Sequence, residues 1–145
     1  HEMNIIVENH VGHSCNGKWL ANIMKEVNHK RAGVLPDFGN FCVKRTKPET
    51  MDIAGYMNTK CLEQYDMYLG IEELMPYAKG VSAKTHKFDT NGNEAEMDFS
   101  RIFDIIKKSG FNGIIGIEYE GNSLSEPEGI KATKALLEKV FTKLK

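Results

Sequence analysis

Four short apolar segments of this sequence each end in a residue that can bind a metal ion, and this repeat limits the possible folds most. The four segments with their final residues are Ile5-Ile6-Val7-Glu8, Gly33-Val34-Leu35-Pro36-Asp37, Val81-Ser82-Ala83-Lys84-Thr85-His86 and Ile114-Ile115-Gly116-Ile117-Glu118. Runs of this length, bounded by Gly and polar residues, are typical of β-strands, and the first is suited to a strand buried on both faces. Strands joined by helical crossovers run parallel, so their last residues gather at one edge of the sheet.

The segments between these strands have the spacing of amphipathic helices, with apolar residues three and four positions apart. The apolar sets are Leu20, Ile23, Met24 and Val27; Phe99, Ile102, Phe103 and Ile106; and Ile130, Thr133, Leu137, Val140, Phe141 and Leu144. Asp98 is placed to cap the second set, and Glu126-Pro127-Glu128 is a helix-start signal for the third. Residues 71–78 predict a further helix, which Pro76 ends or kinks. The long polar stretch 44–66 is interpreted as an insertion or as a loop that carries short helices over the edge of the sheet.

Four β-α units in a row predict an α/β fold with a parallel sheet and helices outside it, formed by residues 1–145 as a single domain. A complete (β/α)8 barrel needs roughly 250 residues, so the chain carries about half of one. The first and last strands of a half barrel are unpaired edges, and one face of its sheet is open. We therefore expect that two copies associate or that a missing N-terminal half completes the barrel. The first strand lies so near the start that we also expect a truncated chain or one that begins inside a larger fold.

Composition excludes several classes of partner. The formal net charge is −1 with 41% hydrophobic residues, which is typical of a soluble globular domain and argues against a nucleic-acid or membrane partner. No apolar run approaches the ~20 residues of a membrane span. The three cysteines, Cys15, Cys42 and Cys61, form no Cys-x-x-Cys motif, and we expect reduced thiols in a cytoplasmic protein.

The residues at the four strand ends suggest a metal site made by Glu8, Asp37, His86 and Glu118. A single acid at a strand end is usually a helix cap or a solvated residue, but four equivalent positions favour a shared site. Carboxylates with one imidazole suit Mn²⁺, Mg²⁺, Co²⁺ or Zn²⁺ and leave positions open for substrate oxygens. Glu120 points to the same side of its strand as Glu118 and is its rival as the ligand. We favour Glu118 because it directly follows the apolar run.

Other polar residues near the same edge are candidates for substrate binding. His10 lies in the first loop of the edge and is either solvated or in contact with substrate, as is His13. Asn40 either hydrogen-bonds a ligand or forms a simple turn. Lys84 either neutralises a developing oxyanion or pairs with a carboxylate such as Glu118. Glu120 is interpreted as a group at the rim of the site.

The residues around the four strand ends resemble, in order, the xylose isomerase-like TIM-barrel superfamily, particularly its sugar phosphate isomerase/epimerase branch. The matching pieces are Val7-Glu8-Asn9-His10, Leu35-Pro36-Asp37-Phe38-Gly39-Asn40-Phe41, Lys84-Thr85-His86-Lys87-Phe88-Asp89 and Gly116-Ile117-Glu118-Tyr119-Glu120-Gly121. The resemblance covers nearly the whole chain, but only strands five to eight of the family's barrel. It implies that Glu8, Asp37, His86 and Glu118 hold a divalent metal and that the two glutamates also act as acid and base. Asn40 replaces a histidine of the family, which bears on substrate preference.

Residues and resemblance together predict a metal-dependent sugar or sugar-phosphate isomerase or epimerase, or its metal-binding half. The metal acidifies the C–H bond between a carbonyl and its neighbouring hydroxyl. Glu8 then removes that proton on one side, and Glu118 returns one on the other, through an enediolate. Alternatives are a lyase or hydrolase of an oxidised sugar on the same fold, and an inactive fragment or assembly module. The family's DNA-repair endonucleases use several more histidines, and the near-neutral charge also argues against that branch.

Overall fold

Strands and helices alternate through residues 2–143, which the computed structural model describes. The strands are β1 (Ile5–Glu8), β2 (Ala32–Leu35), β3 (Cys42–Arg45), β4 (Cys61–Gln64), β5 (Gly80–Thr85) and β6 (Ile114–Tyr119). The helices are α1 (Gly17–Val27), α2 (Ile53–Met57), α3 (Met67–Leu74), α4 (Phe99–Lys108) and α5 (Glu126–Lys143). The four predicted strands and the helices between them are confirmed, while Leu144 lies outside the described residues.

Four of the strands are parallel and form the predicted half barrel. β1 pairs with β2, with Glu8 opposite Leu35, and β5 pairs with β6, with Lys84 opposite Glu118. Two parallel bridges, Val34–Ala78 and Asp37–Ser82, connect β2 to β5. The strand order is therefore β1-β2-β5-β6, and the barrel is not closed within residues 2–143. All four strands end at one edge, here called the rim.

Side-chain caps fix where the helices begin. The Asp98 carboxylate accepts a hydrogen bond from the Arg101 backbone N–H, which confirms the predicted cap of α4. Asp66 caps α3 in the same way, so this helix begins at Met67, before the predicted residue 71. It ends at Leu74, and Pro76 lies in the 3₁₀ turn that follows, because proline has no N–H to continue the helical hydrogen bonds.

The main apolar core lies between the sheet and helices α3, α4 and α5. Its most buried members include Phe38, Phe41, Ile71, Val81, Ala83, Ile102, Phe103 and Leu136. The predicted buried face of α5 is confirmed at Leu137 and Val140, but Ile130 and Phe141 are 48% and 45% exposed.

The first strand corrects one prediction. Ile5, Ile6 and Val7 are 76%, 43% and 39% exposed, although the sequence predicts a strand buried on both faces. β1 is an edge strand of the half barrel, and its second edge and part of its apolar surface remain uncovered by the described residues. β6 forms the other edge, where Ile114 is 81% exposed.

The predicted insertion is an antiparallel hairpin of β3 and β4 that carries α2 between its strands. A disulfide joins Cys42 to Cys61 across this hairpin, with the two Cα atoms 5.8 Å apart. The expectation of reduced thiols is therefore wrong for these two residues, because the strand pairing, which the sequence pattern did not reveal, brings them together. Cys15 is a buried free thiol. Among the described residues no helix has the length and apolar character to cross a membrane.

Candidate metal centre

Three of the four predicted metal ligands meet at the rim. Glu8 ends β1, Asp37 follows β2 by two residues, and Glu118 lies near the end of β6. One carboxylate oxygen of each lies within 4.8 Å of the corresponding oxygens of the other two. Parallel strand direction explains this meeting, since the carboxyl ends of the strands lie at one edge. These three residues are called the acid trio below.

His86 lies outside the acid trio. It directly follows the last residue of β5, and its Nε2 atom lies 3.9 Å from a carboxylate oxygen of Glu120. At the level of the trio β5 presents Ser82 instead, the bridge partner of Asp37. The Ser82 hydroxyl donates a hydrogen bond of 2.7 Å to Glu118. Ser82 and His86 lie at even spacing and therefore face the same side. The sequence does not show which of the two lies beside Asp37, and sequence reasoning missed Ser82. The Asp37–Ser82 bridge decides it.

Lys84 brings a buried positive charge to the trio. Its side chain is 1% exposed, and its Nζ atom lies 3.0 Å from Glu120, 3.4 Å from Glu118 and 3.6 Å from Asp37. Burial lowers the pKa of Lys84, but the charges of Asp37, Glu120 and Glu118 outweigh it, so the net shift is upward. Lys84 is therefore an ammonium, and of the two predicted roles the ion pairing with carboxylates is the one observed.

Gly39 leaves the space that Lys84 fills. A Cβ atom at position 39 would lie 2.9 Å from Cδ of Lys84 and 3.0 Å from Cε1 of His86. Any larger residue would displace one of these two side chains, so glycine at position 39 is required for the observed positions of Lys84 and His86.

Asp37 is the most buried member of the trio. Its Oδ1 atom accepts a hydrogen bond of 2.9 Å from the Gly39 N–H, while its buried Oδ2 atom has no hydrogen-bond donor. Burial raises the pKa of Asp37 to about 7, and the nearby Lys84 ammonium opposes this shift. The Lys84 ammonium faces this Oδ2 atom at 3.6 Å, beyond hydrogen-bond distance, so the hydrogen-bonding capacity of a buried oxygen is left unfilled and suits a further cation.

Glu118 remains charged more readily than Asp37. Partial burial acts to raise the pKa of Glu118, but the hydrogen bond from Ser82 and the charge of Lys84 hold that pKa below its usual value. Its two carboxylate oxygens are divided between these partners, since Oε2 accepts from Ser82 and Oε1 faces Lys84. A carboxylate held in its charged form suits a metal ligand or a general base.

Comparison with known proteins places this geometry in a family. The family model described as "Xylose isomerase-like TIM barrel" matches residues 1–140. The chain belongs to the xylose isomerase-like TIM-barrel family. A C-glycoside deglycosidase alpha subunit from Arthrobacter globiformis is 37% identical over 54 residues, which are 37% of this chain and 15% of that relative. The matched part is thus a small share of the relative's length.

The acid trio fits a metal ion, which members of the xylose isomerase-like family often bind. The carboxylates of Asp37, Glu118 and Glu120 lie within 3.6 Å of the single ammonium of Lys84, and Glu8 brings a further carboxylate to the trio, so acidic groups outnumber the ammonium. The Oδ2 atom of Asp37, which accepts no hydrogen bond and faces only the Lys84 ammonium at 3.6 Å, adds a ligand position.

The remaining candidate residues lie around the trio. Asn40 donates from Nδ2 to Glu8 at 3.3 Å and accepts at Oδ1 from Lys84 at 3.4 Å, so it links an acid of the trio to the buried ammonium. Glu120 is 51% exposed and faces Lys84 and His86. The His10 side chain is exposed in the loop after β1. Contacts of these residues with a substrate stay predictions.

Proposed function

We propose that this chain carries the metal-binding half of a sugar or sugar-phosphate isomerase or epimerase. The observation that supports this most is the acid trio at the rim of a half barrel of the xylose isomerase-like family. Active sites of such barrels lie at this end of the strands. The proposed ligands are Glu8, Asp37 and Glu118, with His86 as a fourth ligand or a substrate contact.

A divalent cation bound there would polarise the substrate carbonyl and the neighbouring hydroxyl. Glu8 and Glu118 come from the two outer strands, with Asp37 between them, so they can approach a sugar from different sides. We assign proton removal to one of these two glutamates and proton return to the other. The Lys84 ammonium offsets the negative charge that develops on substrate oxygen.

The substrate pocket requires a second half barrel in this proposal. β1 and β6 are the edge strands of the described sheet, and each has one edge on which a further parallel strand can pair. Either a second copy or an N-terminal half would supply the other four strands, and the sugar would lie between that half and His10, Asn40, His86 and Glu120.

A second candidate is cleavage of an oxidised sugar on the same site. The C-glycoside deglycosidase alpha subunit supports this candidate, although the aligned segment is short. The same proton removal next to a carbonyl would then expel a group from the neighbouring carbon instead of inverting a centre. The remaining alternative is that the chain has no catalytic activity and serves in assembly with another chain.

Metal binding is the first test, because it does not depend on the missing half. We expect calorimetric titration of the metal-free protein with Mn²⁺ to give about one site per chain, consistent with a single trio. Glu118→Gln should weaken this binding strongly, while Glu126→Gln, a matched change at the start of α5, should not. No binding by the wild type, or equal loss in both variants, would contradict the proposed site.

Chemistry is the second test and separates the two candidate reactions. With the complementary half supplied, an isomerase or epimerase should exchange the proton next to a ketose carbonyl for solvent deuterium, observed by NMR. Release of an aglycone from an oxidised glycoside without such exchange into recovered sugar would favour the cleavage reaction.

A further inference from the structure

Asn9 directly follows the first acid of the trio and is completely buried, although it is uncharged and is not itself one of the proposed metal ligands or substrate contacts. Its exposed fraction is 0%, which is unusual for an asparagine. Such a side chain is stable in the interior only when its amide finds hydrogen-bond partners. The identity of those partners defines its role.

All three partners belong to the loop that carries Asp37. The Oδ1 atom of Asn9 accepts from the Asp37 N–H at 2.7 Å. Its Nδ2 group donates to the Asp37 carbonyl at 2.9 Å and to the Asn40 carbonyl at 2.8 Å. One side chain thus holds Asp37 by both of its backbone polar groups and fixes the position of Asn40 as well.

This grip lies where the strand pairing stops. The paired register of β1 and β2 ends at Glu8 opposite Leu35, two residues before Asp37. Beyond that point the ladder no longer sets the distance between Glu8 and Asp37. The side-chain amide of Asn9 sets this distance instead, because Asn9 is the next residue after Glu8 and its amide is hydrogen-bonded to the backbone of Asp37.

We propose that Asn9 is a positioning residue that fixes Asp37 and Asn40 relative to Glu8 and thereby sets the geometry of the acid trio for its cation. This inference rests on the proposed metal site. It gives Asn9 a function that its chemistry explains, since only a carboxamide offers one acceptor and two donors in this arrangement. Aspartate has nearly the same shape but would turn a charged oxygen towards two carbonyl oxygens.

The test compares Asn9→Asp with Asn16→Ala. Asn16 caps α1 by accepting from the Trp19 N–H, so its replacement also removes a side-chain to backbone hydrogen bond, but outside the site. We expect Asn9→Asp to weaken Mn²⁺ binding about tenfold to 100-fold, the usual effect of losing a residue that orients metal ligands. It should also change the Mn²⁺ EPR line shape. Asn16→Ala should lower thermal stability but leave affinity and line shape unchanged.

Hydrogen exchange gives a readout that requires neither a metal nor a variant. The Asp37 amide of the wild type should exchange as slowly as that of Ser82, which donates within the sheet to Pro36. It should exchange faster in Asn9→Asp. Unchanged affinity in a folded Asn9→Asp, or a rapidly exchanging Asp37 amide in the wild type, would overturn the inference while the proposed function stands. If the wild type binds no Mn²⁺, the proposed function fails instead, and exchange at Asp37 still decides whether Asn9 holds it.

Discussion

Lys84 illustrates how a single residue determines the electrostatics of the site. Both Lys84 and Asp37 are almost inaccessible to solvent, so removing the ammonium leaves a buried carboxylate without its counter-charge. We expect Lys84→Met to lower the free energy of unfolding of the metal-free protein by about 3 kcal/mol. Chemical denaturation would measure this loss, and added Mn²⁺ should recover part of it.

The matched control is Lys134→Met, which breaks an exposed ion pair with Glu138 on α5. Exposed pairs of this kind are worth about 0.3–0.5 kcal/mol, so this variant should be close to wild type. Equal stability of the two variants would contradict the assigned role of Lys84.

Ser82 of β5 and His86, which follows β5, are the two candidates for the group that completes the acid trio. Ser82 touches Glu118 directly, whereas His86 faces Glu120. Ser82→Ala should weaken Mn²⁺ binding by removing the donor that holds Glu118, and His86→Ala should leave the affinity almost unchanged. Calorimetric titration of both variants measures this difference. A larger loss in His86→Ala would support the predicted fourth ligand.

The sequence pattern identifies where the strands end, but it does not show which residues of neighbouring strands lie side by side. Glu8, Asp37 and Glu118 could be found because each ends or follows an apolar run, and strand direction brings such ends together. The places of Ser82 and His86 depend on the Asp37–Ser82 bridge, which is a long-range pairing. The grip of Asn9 on Asp37 is long-range in the same sense.

At the scale of elements, local chemistry predicts helices more reliably than it predicts hairpins. Asp98 and the apolar spacing after it predict α4, because a cap and an amphipathic face are encoded within a few residues. The hairpin of β3 and β4 has a weak apolar pattern, with β4 exposed throughout. The sequence therefore predicts an insertion or a loop with short helices there, of which α2 is one, but it does not predict the strand pairing. The pairing of Cys42 with Cys61 follows from the structure alone.

The cap of α4 can be tested on its own. Asp98→Ala removes the acceptor for the Arg101 N–H and should cost about 1 kcal/mol of stability. Asp98→Asn retains an acceptor oxygen at the same position and should cost much less. Thermal unfolding of both variants measures the difference, and equal losses would mean that the charge, rather than the hydrogen bond, stabilises the helix start.

At the scale of the whole molecule, the half barrel exposes the surfaces that a complete barrel would bury. The exposed apolar residues of β1 and β6 lie on the two edge strands, and Ile114 is 81% exposed. Unpaired strand edges with apolar side chains favour association. Half a barrel on its own is therefore expected to bind a second half, whether from a copy of itself or from a separate segment.

Light scattering coupled to size-exclusion chromatography should accordingly show this chain as a dimer, or as a complex when an N-terminal half is supplied. Ile114→Lys places a charge on the free edge and should shift either species towards monomer without disturbing the core. Leu62→Lys is the matched control, since Leu62 is 61% exposed on the hairpin rather than on a barrel edge. A well-folded monomeric wild type that remains alone in the presence of an N-terminal half would contradict completion of the barrel by association. The acid trio would then have to bind its cation at an open rim, with weaker exclusion of water from the substrate.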